Sequence, residues 1–573
     1  MTFTTNRLLS AWIVLVFAAL AIASSTSAQD MAIINANIAT MDRANPTAEA
    51  LIVKDGRITA VGTTEEITAK LGDDTKPLDL EGKFLMPGFI EGHGHFLMLG
   101  EMRMNLDLTK ASSWDDIVEQ VRLAAATTPP GKWIIGRGWH QSKWDAPPSP
   151  NVEGYPTHES LSKASPNNPV LLTHASGHMD FANAYAMRMA EIANNTEDPK
   201  GGTILRNEDG SATGVFRERA SGLIHAARYA DEGQNKTTVS NLDYLNRAAE
   251  LASDECVSKG ITSFQDAGLP FAQIEYIKSV VDGRVKPRLW VMVRDSNQSL
   301  MLNLKKTRVI GYADNHLTVR AIKRSIDGAL GAHGAWLLQP YEDMPLSRGL
   351  NTRSVASVEE AAALALKHDY QFCVHAIGDR ANREVLDIFE RQFKANPSEQ
   401  SRRWRIEHAQ HLHPDDIPRF GKLGVIASMQ AVHCTSDAIF VPKRLGARRS
   451  KDGAYVWKSL LESGAIVTNG TDAPVEDVDP IPSFFASVTR QLKPGVTFFP
   501  EQCMSRREGL EAYTINNAKA AFEEEIKGSI EVGKLADFVV LSNDLLTCAD
   551  DEILKTKVLR TIIGGETVYE TTP

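Results

Sequence analysis

The sequence predicts an α/β protein, a (β/α)8 TIM barrel with a small discontinuous β-sandwich domain drawn from both termini. Three observations predict it. Apolar runs of strand length recur through the middle of the chain and alternate with helix-like stretches, as repeated βα units around a parallel sheet require. Several of these runs close on a histidine or an aspartate, the end from which barrels do their chemistry. Short β segments with turn signals stand at both ends of the chain, outside the alternation.

At the N-terminus, Arg7 precedes the apolar run Ala11 to Ala23, and small residues lead to Ala28 before Gln29-Asp30. A positive start, an apolar stretch too short for a comfortable span and small residues before a cut read as a signal peptide over 1–28. The protein is then exported, periplasmic or secreted, and free of the membrane after cleavage. An uncleaved N-terminal anchor is the competing reading. No cysteine sits beside the cut, which argues against a lipid anchor.

Residues 31–39 and 50–61 alternate in strand fashion, and Asp55-Gly56 marks a hairpin. Residues 528–541 and 558–569 have the same texture, with a Gly564-Gly565 turn. We assign 29–86 and 520–573 to one discontinuous β-sandwich domain and 87–519 to the barrel. Barrel strands are expected at 84–92, 261–266, 321–327, 371–375, 404–408, 425–430 and 465–472, with one more within 133–172, which makes eight. Residues such as 358–367 between them read as helix. No glycine-rich phosphate loop follows the first strand, which disfavours a doubly wound sheet. The irregular stretch at about 130–230 reads as a lid-like insertion or a plain surface excursion.

Composition narrows the function. A chain of 573 residues with net charge −10 and no basic run offers nucleic acid no electrostatic footprint. Its five cysteines are odd in number and show no CxxC spacing, so a disulfide framework or thiolate zinc site is not expected. Chemistry concentrates instead at strand ends. His93 and His95 are two apart and share one strand face, where they can hold one ion, and Gly92 and Gly94 leave room for a ligand near the backbone. Lys323, His375, His408 and Asp472 then recur on later strands, all of which converge at one barrel mouth.

The motifs Pro87-Gly-Phe-Ile-Glu-Gly-His-Gly-His95, His375-Ala-Ile-Gly-Asp-Arg380, Ile406-Glu-His-Ala-Gln410, Gly470-Thr-Asp-Ala-Pro474 and Gly533-Lys-Leu-Ala-Asp537 resemble the amidohydrolase superfamily. The chain is similar to its branch of large metal-dependent hydrolases that includes N-substituted formamide deformylases and exoenzyme regulatory proteins. Gly136-Arg-Gly-Trp139 and Thr213-Gly-Val-Phe-Arg-Glu218 look like that branch too, but His140 stands where it commonly has aspartate, so substrate preference does not carry over.

The resemblance implies His93 and His95 on one ion, His375 and His408 on a second, Lys323 carboxylated by carbon dioxide as a bridge, and Asp472 completing the first ion. A carbamate brings oxygens and negative charge where an ammonium would repel the metal. Zinc is the default, and iron, manganese or cobalt suit the same donors. If Lys323 is an ordinary strand lysine, the remaining ligands make a one-metal site. The implied reaction is hydrolysis of a carbon–nitrogen bond in a small molecule by a metal-bound hydroxide, with Asp472 as acid and base. Esterase or lactonase chemistry, and a regulatory or binding protein that keeps the metal without turnover, are the alternatives. His178 is a candidate substrate contact, and Arg380 and Glu407 are expected to support ligands. Trp139, with Trp133 and Trp144, stacks on substrate or packs a core. His174, His411, His413 and His433 are read as loop residues. A homodimer is compatible with the resemblance.

Overall fold

The computed structural model describes residues 30–571 apart from 73–75 and 232–238. The signal-peptide assignment falls on residues outside this range. No helix among the described residues is long and apolar enough to cross a membrane.

Eight parallel strands form the barrel in chain order: β1 (Phe89–Gly94), β2 (Ile261–Leu269), β3 (Arg288–Val293), β4 (Leu317–Ser325), β5 (Gln371–Ala376), β6 (Arg405–His408), β7 (Ile426–Met429) and β8 (Val467–Asn469). Each hydrogen-bonds to its neighbour in sequence, and the sheet is nearly closed. Just past β8, the Asp472 N–H donates to the His93 carbonyl and the His95 N–H to the Ala473 carbonyl, both at 2.7 Å. Those two bonds bring the first and last strands together at the C-terminal mouth of the barrel. The helices pack outside by the usual stripe logic. In Asp379–Ala395, for example, Val385, Leu386, Phe389 and Phe393 fall on one buried face.

Two strand assignments are corrected. The run within 133–172 does contain strands, Ile134–Trp139 and Val170–His174, but they pair with each other in a separate sheet of the insertion. That sheet runs from Leu106–Asp107 to Gly202–Arg206 and packs on apolar clusters of its own. The missing barrel strand is β3, whose charged first residue and preceding Lys286-Pro287 hide a run that is buried throughout. The stretch 84–92 is likewise two strands. Phe84–Pro87 pairs antiparallel with Phe538–Leu541 in the terminal sheet, whereas β1 begins at Phe89 in the barrel. Gly88 is the joint, and a Cβ there would collide with the Thr262 side chain.

The terminal segments fold into two sheets over a core that includes Ile33, Ile38, Leu51, Leu85, Phe538 and Ile562. One buried ion pair ties this unit to the barrel. Arg288 at the start of β3 meets Asp537 twice, Nε to Oδ2 at 2.8 Å and Nη2 to Oδ1 at 3.1 Å. The Gly564 N–H donates to the same carboxylate at 2.9 Å.

Candidate metal centre

The centre begins with β1. His93 points into the barrel and is buried, while His95, one residue past the strand, sits at the N-terminus of the helix Phe96–Met102 and is partly open. The Nδ1–H of His93 donates to Glu407 on β6, and Arg405 pairs with the same carboxylate at 2.7 Å. Burial works against the ionised form of Glu407, but Arg405 and His93 outweigh it and hold its pKa far below the ordinary range. The proton is thereby fixed on Nδ1, and Nε2 of His93 is left as a lone-pair donor. His408 is oriented in the same way, with its Nδ1–H donating to Gln430 Oε1 at 2.7 Å.

Around these two rings the other predicted residues gather. Lys323 Nζ on β4 lies 3.3 Å from His93 Nε2. Ring centroids of His408 stand 4.6 Å from His93 and 4.5 Å from His375. Asp472 Oδ1 is 3.3 Å from His95 Nε2 and 3.5 Å from His93 Nε2, and one ligand atom each from His93, His95 and Asp472 fit within 4.8 Å of one another. His375 Nε2 and Asp472 Oδ1 are buried without a hydrogen-bond partner. Unpartnered imidazole and carboxylate atoms converging from several strands are what a divalent cation needs, so the donor set fits a metal.

Backbone strain supports that placement. His408, Ala409 and Asp472 adopt φ values of 75°, 44° and 57°, in the left-handed region that side-chain-bearing residues avoid. The flanking glycines serve packing rather than the ligand access expected of them. A Cβ on Gly92 would strike the Asn469 carbonyl and Asn517, and one on Gly94 would strike the Phe264 ring.

Electrostatics follow burial. Lys323 is pulled down to about 8, chiefly because the site is dry, so far more of it is neutral amine than in a free lysine. For Asp472 burial raises the pKa, but His95 beside it and the other nearby imidazoles more than offset that and keep it ionised. Two carboxyl groups that sequence reasoning did not assign are also buried here. Glu91 accepts from the Thr471 and His93 N–H groups and joins β1 to the Asp472 turn, and burial pushes it up to about 8. Asp327 accepts three backbone N–H bonds and stands 3.5 Å from His375 Nε2. Glu91 lies two residues before His93 in the quoted β1 motif, on the strand face that the histidines share, and that spacing was the signal that could have found it.

The insertion reaches over the mouth through His178. Its Nδ1 lies 2.9 Å from Glu218 Oε2 and its ring 5.0 Å from that of His375. Burial lowers the His178 pKa, and Glu218 more than reverses the effect. Two other expectations fail. Trp139 is fully buried in the insertion core, donates from Nε1 to the Leu172 carbonyl and stacks against Trp144, so it cannot touch substrate. Arg380 lies over Trp336 and pairs with Glu384 on its own helix, because it stands in the first turn of the helix Asp379–Ala395 and not on β5. Trp133 donates to Asp231.

Of the histidines read as loop residues, only His413 is substantially open. His174 is buried between Gln141 and Ser176, and His411 packs on Tyr455. His433 is buried, accepts from Gln410 Nε2 and helps line a cavity of about 50 Å³ beside the centre. A second cavity of about 290 Å³ opens on the other side.

The buried histidines carry a pH prediction. Burial pushes His140 and His411 down to about 3 and His93 to about 4, against an ordinary value of 6.5. Below 6.5 the unfolded chain takes up protons that the folded chain refuses, so stability is full above that pH and is lost as pH falls toward 4. The urea midpoint of chelator-treated protein is expected to be clearly lower at pH 5 than at pH 7. Equal midpoints would contradict this reading.

Comparison with known proteins agrees with the centre. The amidohydrolase family profile matches residues 77–569. Protein LONG AFTER FAR-RED 3 of Arabidopsis thaliana is 33% identical over 557 residues, spanning 94% of this chain and 91% of its own. The N-substituted formamide deformylase of Arthrobacter pascens is 28% identical over 96% of this chain and 99% of its own. An uncharacterized metal-dependent hydrolase from Pyrococcus furiosus superposes with a TM-score of 0.68 at 27% identity, covering 91% of this chain and 100% of that one. With strand-end donors that suit a divalent metal and a family match over most of its length, this chain belongs to the amidohydrolase family and is a hydrolase.

Proposed function

We propose that the protein hydrolyses a carbon–nitrogen bond in a small amide or N-acyl compound, using two divalent ions, zinc by default, held by His93, His95, His375, His408 and Asp472, with Lys323 as a bridging carbamate. The observation that carries this reading is the convergence of unpartnered buried Nε2 and Oδ1 atoms from His375 and Asp472 onto the imidazoles of β1 and β6. When bound, the ions acidify a water molecule and polarise the scissile carbonyl.

The chain's own residues do the rest. Asp472, kept ionised by its histidine neighbours, takes a proton from the attacking water and returns it to the departing nitrogen, which is otherwise a poor leaving group. His178, steadied by Glu218, offers its free ring nitrogen to the substrate. Neutral Lys323 forms a nitrogen–carbon bond to carbon dioxide and releases a proton, and the product has two oxygens in place of a cation. The name of the Arthrobacter pascens relative, a deformylase, supports amide rather than ester chemistry.

Elemental analysis together with an amide, ester and lactone panel tests the proposal. Two ions per chain, amide turnover lost on chelation and restored by zinc, and a fall to one ion or none in Lys323→Ala are expected. One ion in both proteins would remove the bridge, and ester or lactone turnover without amide turnover would remove the carbon–nitrogen assignment.

A further inference from the structure

The larger cavity has a charge pattern that bond cleavage leaves unused. Arg219, Arg294 and Arg353 line it together with His95, Lys323 and Asp472. They come from three places, the end of the insertion strand Ala212–Glu218, the loop after β3 and the loop after β4. None of their three guanidinium groups has a hydrogen-bond or ion-pair partner among the described residues. Exposed arginines elsewhere do find partners, as Arg122 does in Glu119 and Arg391 in Glu359.

The three guanidinium groups are close enough to repel one another. Burial and then Arg353 pull Arg294 below its ordinary pKa, and burial and then Arg219 do the same to Arg353, although both keep surface open to the cavity. The carboxylates on this cavity are engaged elsewhere. Glu218 holds His178, Asp327 is taken up by backbone N–H groups and Asp472 by the β1 histidines. Unpaired like charges around one cleft are unfavourable until an anion enters, and they raise its local concentration. Guanidinium groups match carboxylate geometry with paired N–H donors.

The smaller cavity has a different character. It shares Ser176, His178, His375, His408, Asp472 and Val475 with the larger one, and its own wall mixes Leu330, Ile377 and Phe440 with Lys143, His433 and Glu476, with no arginine among them. At about 50 Å³ it has room for a few heavy atoms. The reacting centre therefore lies between an arginine-lined half and a compact half of mixed lining.

We propose that the substrate is an amide with a carboxylate on the fragment that fills the arginine-lined half and a small group across the scissile bond. This inference rests on the hydrolase reading above. The test pairs N-formyl and N-acetyl amino acids with the corresponding uncharged N-acyl amino alcohols, and adds N-acyl aminoalkylphosphonates. Both binding, by calorimetry, and turnover are measured on zinc-loaded wild type, Arg294→Gln and Arg353→Gln.

The carboxylates are expected to bind and turn over better than the alcohols by about tenfold or more, and that ratio is expected to fall about tenfold in either variant. Carboxylates that bind in this arginine-dependent way but are never cut would keep the anion site and sink the hydrolase reading. Alcohols handled as well as carboxylates would sink the anion site and leave the hydrolase reading standing. Stronger handling of phosphonates than of carboxylates would overturn the carboxylate assignment, and so would a failure of all three sets to bind.

Discussion

Asp472→Asn is expected to lower kcat/KM by about 10²–10⁴-fold while leaving the bound metal largely in place. The asymmetry follows from what the substitution removes. Asparagine keeps an oxygen at the Oδ1 position, 3.3 Å from His95 Nε2, so coordination is weakened rather than abolished. It cannot accept and return a proton, however, and the leaving nitrogen must then depart unprotonated. The backbone should tolerate the change, since asparagine enters the left-handed region as readily as aspartate does at φ 57°. Elemental analysis beside steady-state kinetics separates the two effects. Unchanged turnover with metal retained would remove Asp472 from proton transfer, and loss of both ions would recast it as a ligand alone.

The second large effect lies away from the centre. Asp537→Ala is expected to cost about 3–5 kcal/mol, because it strands the buried Arg288 guanidinium without a counter-ion. Burial raises the Asp537 pKa, and Arg288 overcomes this to leave it depressed. The pair therefore stabilises fully above the ordinary aspartate value near about 4 and loses its effect as pH falls through the depressed value. Replacing both partners, Arg288→Met with Asp537→Leu, should cost much less than the single change, since no uncompensated charge remains. Urea midpoints of the three proteins decide the matter. A single variant as stable as wild type would show that the pair is dispensable.

How far the sequence could be read depended on whether a residue's role is local. His93, His375, His408 and Asp472 were recognisable because each closes an apolar strand, and strand ends of a barrel must meet. β3 was missed because a charged first residue broke the apolar pattern, and its partner Asp537 lies 249 positions away. Asp327 and Gln430 close the expected runs 321–327 and 425–430, but they act only through the side chain or backbone of a neighbouring strand, which their local sequence does not show. Trp139 and Arg380 were overread for the opposite reason. They stand beside motif residues in the chain, but the fold turns one into a core and the other onto an outer helix. The arginines of the larger cavity come from three separate loops, and loops carry no periodicity from which convergence could be inferred.

The joint at Gly88 has a consequence for how the molecule can be divided. It has separate apolar cores for its barrel and its terminal sheets, which would ordinarily mark two exchangeable modules. Yet one uninterrupted backbone passes from Phe84 in the outer sheet to His93 and His95 in the centre, with the Gly88 N–H donating to the Asp537 carbonyl at the crossing. The β domain thus acts as the anchorage of the strand that carries His93 and His95, and a chimera cut between the two units would transplant the barrel without the fixture that sets the height of these two candidate ligands.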